Sequence, residues 1–175
     1  MTDRFKTSTM NVSCMIGVLP YALAVPAAVA GIVAGLFLHE VAHAAPVLFA
    51  GGSAHVTVGS DSGRTVRVGP LTVTAGFDGV RKLLSYGYFQ WDGTPSKRVR
   101  ALSLAAGPSV TILLAASLGL VAVRDGDGPV SFCLTAVFYS ELFRAVQTAV
   151  PRTYSRGAYA GLDSDGKQLL DLVRS

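Results

Sequence analysis

His39-Glu40-Val41-Ala42-His43 is an HExxH sequence. On a helix, residues four apart share a face, so both imidazoles can grip one zinc ion while the Glu lies close enough to handle the proton of a metal-bound water. The chain has three histidines, of which two are here, and Glu40 and Glu141 are its only glutamates. Two imidazoles fall short of a catalytic set, which needs three protein ligands and an open position for water. The candidates for the third are His55, Glu141, Asp163 and Asp165. Asp165, in Ser164-Asp165-Gly166, follows the last apolar segment on the side where the first delivers its histidines, with Asp163 next in order. His55 falls on a strand pattern close in sequence, and Glu141 has Arg144 three residues on, the spacing of an intramembrane ion pair.

The elements that must position these groups are apolar. Of 175 residues, 50% are hydrophobic and 15% charged, a balance opposite to that of disordered chains. No Asp, Glu, Lys or Arg occurs from Thr7 to Leu38 or from Ala101 to Val123. Either stretch exceeds the ~20 residues that cross a bilayer as a helix. Three spans are expected, over about 21–50, 99–123 and 129–150, in a single membrane-embedded domain covering 1–175. The apolar region from Asn11 to Ala50 is too long for one crossing, so a break at Pro20 or Pro26 is expected. Residues 11–20 would then be a short strand or a separate half-helix. Gly31, Gly35, His39 and His43 recur every four residues; the small ones admit a neighbouring helix, so the stripe aims the imidazoles at protein and not at lipid.

Between the first two spans the period changes to two. Val56 and Val58, Val66 and Val68, then Leu71, Val73, Ala75 and Phe77 alternate with small or polar residues, predicting a small antiparallel sheet in the loop 53–80. Residues 78–96 read as irregular or partly helical, with interfacial aromatics. From Gly51 to Arg100 the chain carries seven basic residues (Arg64, Arg67, Arg81, Lys82, Lys97, Arg98, Arg100) against Asp61, Asp78 and Asp92. This excess lacks the density of a nucleic-acid footprint and reads as a cytoplasmic loop. The protein is then a multi-pass component of the cell membrane, its site roughly 12 Å inside the cytoplasmic end of the first span. Cys14 and Cys133 lie in apolar stretches without a CxxC partner, which implies neither a disulfide framework nor a thiolate metal site.

Taken together these features resemble the site-2 protease family of intramembrane zinc metallopeptidases. The likeness rests on His39–His43 within an apolar span, the strand-bearing loop after it, Ala105-Ala106-Gly107-Pro108-Ser109 in the next span, and the ending Pro151…Ser164-Asp165-Gly166. It runs from about residue 21 to 170 in the family's order. The resemblance implies that His39, His43 and Asp165 hold one zinc ion per chain and that Glu40 is the general base. It implies a three-span core whose loop sheet presents an unwound substrate segment. It also implies substrate-positioning roles for Gly107 and Pro108, and for Thr148 and Gln147 near the place of the family's Asn. Here Thr148-Ala149-Val150-Pro151 replaces the Asn-bearing element, and Asp165 follows Pro151 by fourteen residues, longer than is usual in the family.

The function expected is endopeptidase cleavage of membrane-protein substrates, a single-span regulatory protein among them, with the lipid bilayer as the other partner and no nucleic acid. Gly51–Arg100 is too short to hold the accessory peptide-binding domain that resembling proteins often carry. The rival is a catalytically inactive membrane module with the same fold, acting by binding or regulation. A small ion transporter is disfavoured by the absence of an inverted repeat.

Overall fold

The computed structural model describes the backbone of residues 3–175 and the side chains of residues 19–124 and 126–175. Its frame is three long helices: α1 (Asp3–Phe49), α3 (Lys97–Asp125) and α4 (Pro129–Ala149). They pack against one another, and a short amphipathic helix, α5 (Asp165–Arg174), docks against α3 and α4. Two segments, Leu19–Phe49 and Lys97–Arg124, are long and apolar enough to cross a membrane. Large apolar side chains such as Leu23, Leu113, Val121 and Phe143 point outward from the helices, as lipid-facing residues would.

The expected break in α1 does not occur. The helix passes through Pro20, Pro26 and Pro46 without interruption, so residues 11–20 continue it and form neither a strand nor a separate half-helix. Each proline removes only one backbone donor, and a long apolar helix tolerates that loss when the rest of its ladder is intact. Gly51, in the left-handed region at φ 80°, ends the helix, with Gly51 N–H donating to Leu48 C=O and Gly52 N–H to Val47 C=O. Cys133 is a free thiol, while the side chain of Cys14 lies outside the described residues.

The loop between α1 and α3 holds β1 (Ala54–Val58), β2 (Arg64–Val68), β3 (Leu71–Ala75), the short helix α2 (Val80–Ser85) and β4 (Gly87–Trp91). The sheet is mixed, not antiparallel. Its order is β2-β3-β1-β4, with β1 parallel to β3, β2 antiparallel to β3 and β4 antiparallel to β1. The β2–β3 hairpin folds back as a unit, which sets β3 beside β1 in the same direction. The sheet also reaches beyond residue 80, because Gly87–Trp91 is a strand rather than irregular chain. Ala54, Val56 and Val58 share one face of β1 and bury against Leu36 and Ala44 of α1, with Phe89 beside them. That contact straddles the HExxH turn and lays the sheet over it.

Candidate metal centre

The stripe on α1 meets protein at every step. Gly31 packs against Val137 and Gly35 against the Glu141 carboxylate, both on α4. His39 and His43, 3% exposed each, turn to α3, whose facing residues Ser103, Gly107 and Thr111 also recur every four positions. A Cβ at Gly107 would overlap the His43 ring, so glycine is what lets the imidazole lie against this helix. His43 Nδ1–H donates to Ser103 C=O at 2.7 Å. His39 Nδ1 meets the Thr111 hydroxyl at 2.8 Å. That hydroxyl donates to Gly107 C=O at 3.1 Å, so it accepts from His39. Both protons are therefore placed on Nδ1, and both Nε2 lone pairs point inward.

The third group comes from the start of α5. Ser164 caps this helix, accepting from Lys167 N–H at 3.2 Å, and its hydroxyl also donates to Val150 C=O at 2.8 Å. The end of α4 is thereby tied to the first turn of α5, and Asp165 projects inward. Asp165 Oδ2 lies 3.5 Å from His39 Nε2 and 3.4 Å from His43 Nε2, and the two Nε2 atoms are 3.2 Å apart. Three lone-pair-bearing atoms facing one another this closely in a buried site repel unless a proton or a cation lies among them. Were the imidazoles to carry a second proton on Nε2, burial would push the Asp165 carboxyl up but hydrogen bonds from them would outweigh it and hold the carboxyl well below its usual range. A metal ion meets the same demand. Ligand bonds of 2.0–2.1 Å in a tetrahedron place donor atoms about 3.3–3.4 Å apart, the spacing found here. His39, His43 and Asp165 thus form a group that can hold a metal ion.

Glu40, 6% exposed, lies beside the triad on α1, its carboxylate against the Cα of Gly87 at the start of β4. A Cβ at Gly87 would overlap that carboxylate, so the strand can approach the acid only at a glycine. Two positions along, the Phe89 ring stacks on His43 at 5.7 Å between centroids. The triad, Glu40 and β4 share a cavity of about 1560 Å³. Tyr159 also lines it, and its hydroxyl contacts both backbone groups of Gly87 at 2.6 Å. Burial, with Glu40 behind it, holds this phenol well above its usual range, so it is protonated.

The other expected residues separate cleanly. His55 Nε2 is engaged by Thr74 Oγ1 at 2.8 Å, away from the triad. Asp163 accepts from Thr153 and pairs with Lys167 at 3.0 Å. Glu141 is fully buried and takes both its bonds from Arg144 Nη1, at 2.7 and 2.8 Å. Gln147 and Thr148 line the cavity, although the Thr148 hydroxyl donates to Arg144 C=O of its own helix. Gly107 and Pro108 are buried in α3 and are not among the cavity-lining residues. Sequence reasoning passed over Ser103, Thr111, Phe89 and Tyr159. The fourfold spacing of Ser103, Gly107 and Thr111 matches that of the histidines and was a usable signal; Tyr159 carried none. No family model, curated protein or solved structure matches this chain.

Proposed function

We propose that this protein is an intramembrane zinc endopeptidase of the site-2 protease type, cleaving membrane-protein substrates within or near the bilayer. The observation that carries the reading is the convergence of His39 Nε2, His43 Nε2 and Asp165 Oδ2 at 3.2–3.5 Å with Glu40 beside them. Two neutral imidazoles and one carboxylate are a ligand set of catalytic zinc, which leaves a fourth position for water. When bound, zinc supplies Lewis acidity to a water molecule and to a peptide carbonyl.

The chain's own residues do the rest. Ser103 and Thr111 fix the imidazoles in the tautomer that binds metal. Glu40 accepts the proton of the attacking water and returns it to the leaving amine. A helical substrate hides its carbonyls in its own hydrogen bonds and must be extended before attack. The outer edge of β4, running past Glu40, offers backbone groups to hold that extended segment as an added strand.

α4 serves as the third span. Its 21 residues reach about 31 Å, and its two charged side chains neutralise each other against α1 instead of facing lipid. The basic loop sets the orientation, with the site toward the cytoplasm.

Metal analysis and cleavage of a single-span substrate by detergent-purified protein test the reading. One zinc per chain and a loss of about 10²–10⁴-fold in kcat for Glu40→Gln, with zinc retained, are expected. Metal-free protein whose cellular phenotype survives Glu40→Gln would overturn it in favour of a binding module.

A further inference from the structure

Thirteen residues separate Pro151 from Asp165, and the structure shows what they build. Thr153 bridges Asp163, Tyr154 N–H donates to Leu162 C=O at 2.9 Å, and Gly161 N–H donates to Tyr154 C=O at 2.8 Å. The segment is a narrow hairpin between α4 and α5. Most of its residues from Pro151 to Leu162 are exposed; its inward contacts are aromatic. Tyr159 packs between Tyr86, on which it stacks, and the tilted ring of Tyr154, at 5.7 and 5.6 Å between centroids, and the Tyr154 hydroxyl donates to Gln147 C=O at 2.9 Å.

The tip lands on the open edge of the sheet. β4 is the outermost strand, paired on one side with β1. Tyr86 C=O accepts from Gly59 N–H, and Asp92 N–H donates to Ser53 C=O, so the even-numbered residues bond inward. By the alternation of an antiparallel ladder, Gly87, Phe89 and Trp91 turn their N–H and C=O outward. At Gly87 both outward groups are taken by one hydroxyl: Tyr159 O–H donates to Gly87 C=O and accepts from Gly87 N–H, each at 2.6 Å. A residue of an added strand would make this same pair of bonds.

We propose that the hairpin from Arg152 to Asp163 is an autoinhibitory strap, with Tyr159 occupying the Gly87 backbone pair in place of an extended substrate and withdrawing before substrate pairs with β4. The inference rests on the endopeptidase reading. The strap is covalently continuous with Asp165, so its displacement starts next to a metal ligand. Ser164, buried and bonded to Val150 and Arg152, forms the fixed root that keeps Asp165 in place while the exposed tip moves.

Tyr159→Phe keeps the aromatic stack and removes both bonds. The test uses full-length zinc-loaded protein in detergent and a fluorescein-labelled, Val/Thr-rich peptide long enough to pair along β4. Binding is read by anisotropy in a Glu40→Gln background, where the peptide is not cut. Cleavage is read separately with Glu40 intact. Tyr159→Phe is expected to bind the peptide about tenfold tighter, equivalent to ~1.4 kcal/mol, to lower KM correspondingly, and to leave zinc content unchanged. Hydrogen exchange at the Gly87 amide is expected to quicken in the unliganded variant. Equal peptide affinity with and without the hydroxyl would overturn the strap while the protease reading stands. Zinc loss with weaker binding in Tyr159→Phe would also overturn it, by making Tyr159 a clamp for β4. No cleavage by either form, with Glu40→Gln indistinguishable from wild type, would remove the endopeptidase reading and the strap together.

Discussion

Thr111 accepts the Nδ1–H of His39 while donating its own proton to Gly107 C=O. A threonine four residues along α3 from a glycine thus decides which nitrogen of a histidine on α1 is free to bind metal. Thr111→Val keeps the shape and removes the acceptor, leaving the imidazole without its orienting partner. Zinc affinity is expected to fall about 10–100-fold, with the helical circular-dichroism spectrum unchanged. Competition with a chromogenic chelator measures it; unaltered affinity would show that the tautomer is set elsewhere.

Asp163 and Asp165 stand two residues apart and differ completely in surroundings. Asp165 faces the imidazoles, whereas Asp163 is bound to Lys167 and Thr153. Asp165→Asn is expected to abolish stoichiometric zinc and activity. Asp163→Asn is expected to retain both, with little change in stability, because solvent screens an exposed ion pair. Elemental analysis of the two purified variants separates them, and the reverse outcome would reassign the third ligand.

How much of this was readable in the chain differs by element. The apolar runs located α3, α4 and the end of α1 to within a few residues, since length and charge specify them, but not the start of α1, which continues through Pro26 and Pro20 back to Asp3. The HExxH spacing and Ser164-Asp165-Gly166 pointed to the three residues that come together as a group able to hold a metal ion, because each motif is local. Partnership within the sheet was not local: the alternation of Val56 and Val58 says strand but not which neighbour, and the parallel β1–β3 pairing follows from how a hairpin folds back. Gly87–Trp91 escaped because its aromatics suit a membrane interface as well as a strand. Tyr159 escaped for a deeper reason. Its bond is to the backbone of Gly87, seventy-two positions away, and a backbone partner leaves no mark in side-chain pattern.

The resemblance implies a substrate-positioning role for Gly107, yet its backbone lies against the His43 ring. Gly107→Ala places a methyl group where the imidazole sits. Overpacking of this kind costs about 1–3 kcal/mol, and the ring must rotate away from Ser103 C=O to relieve it. A lowered melting temperature together with weakened zinc binding is expected. Normal zinc affinity with a changed KM would instead restore the substrate-positioning role.

Glu141 and Arg144 are joined on α4, and Arg144 Nη2 also donates to Ile32 C=O of α1 at 3.3 Å. The carboxylate rests against Gly35, one turn before His39 on the same stripe. The pair therefore sets the spacing of α1 and α4 beneath the metal group without supplying a ligand. Glu141→Leu leaves a largely buried guanidinium without its carboxylate, holding only the Ile32 carbonyl, and is expected to destabilise by about 3–5 kcal/mol. Replacing both charges, Glu141→Leu with Arg144→Leu, is expected to recover much of that loss, because no isolated charge remains. The zinc content of the double variant carries the decisive information. Retained zinc fits a packing role, whereas loss of zinc in a stably folded double variant would make Glu141 part of the metal centre's support.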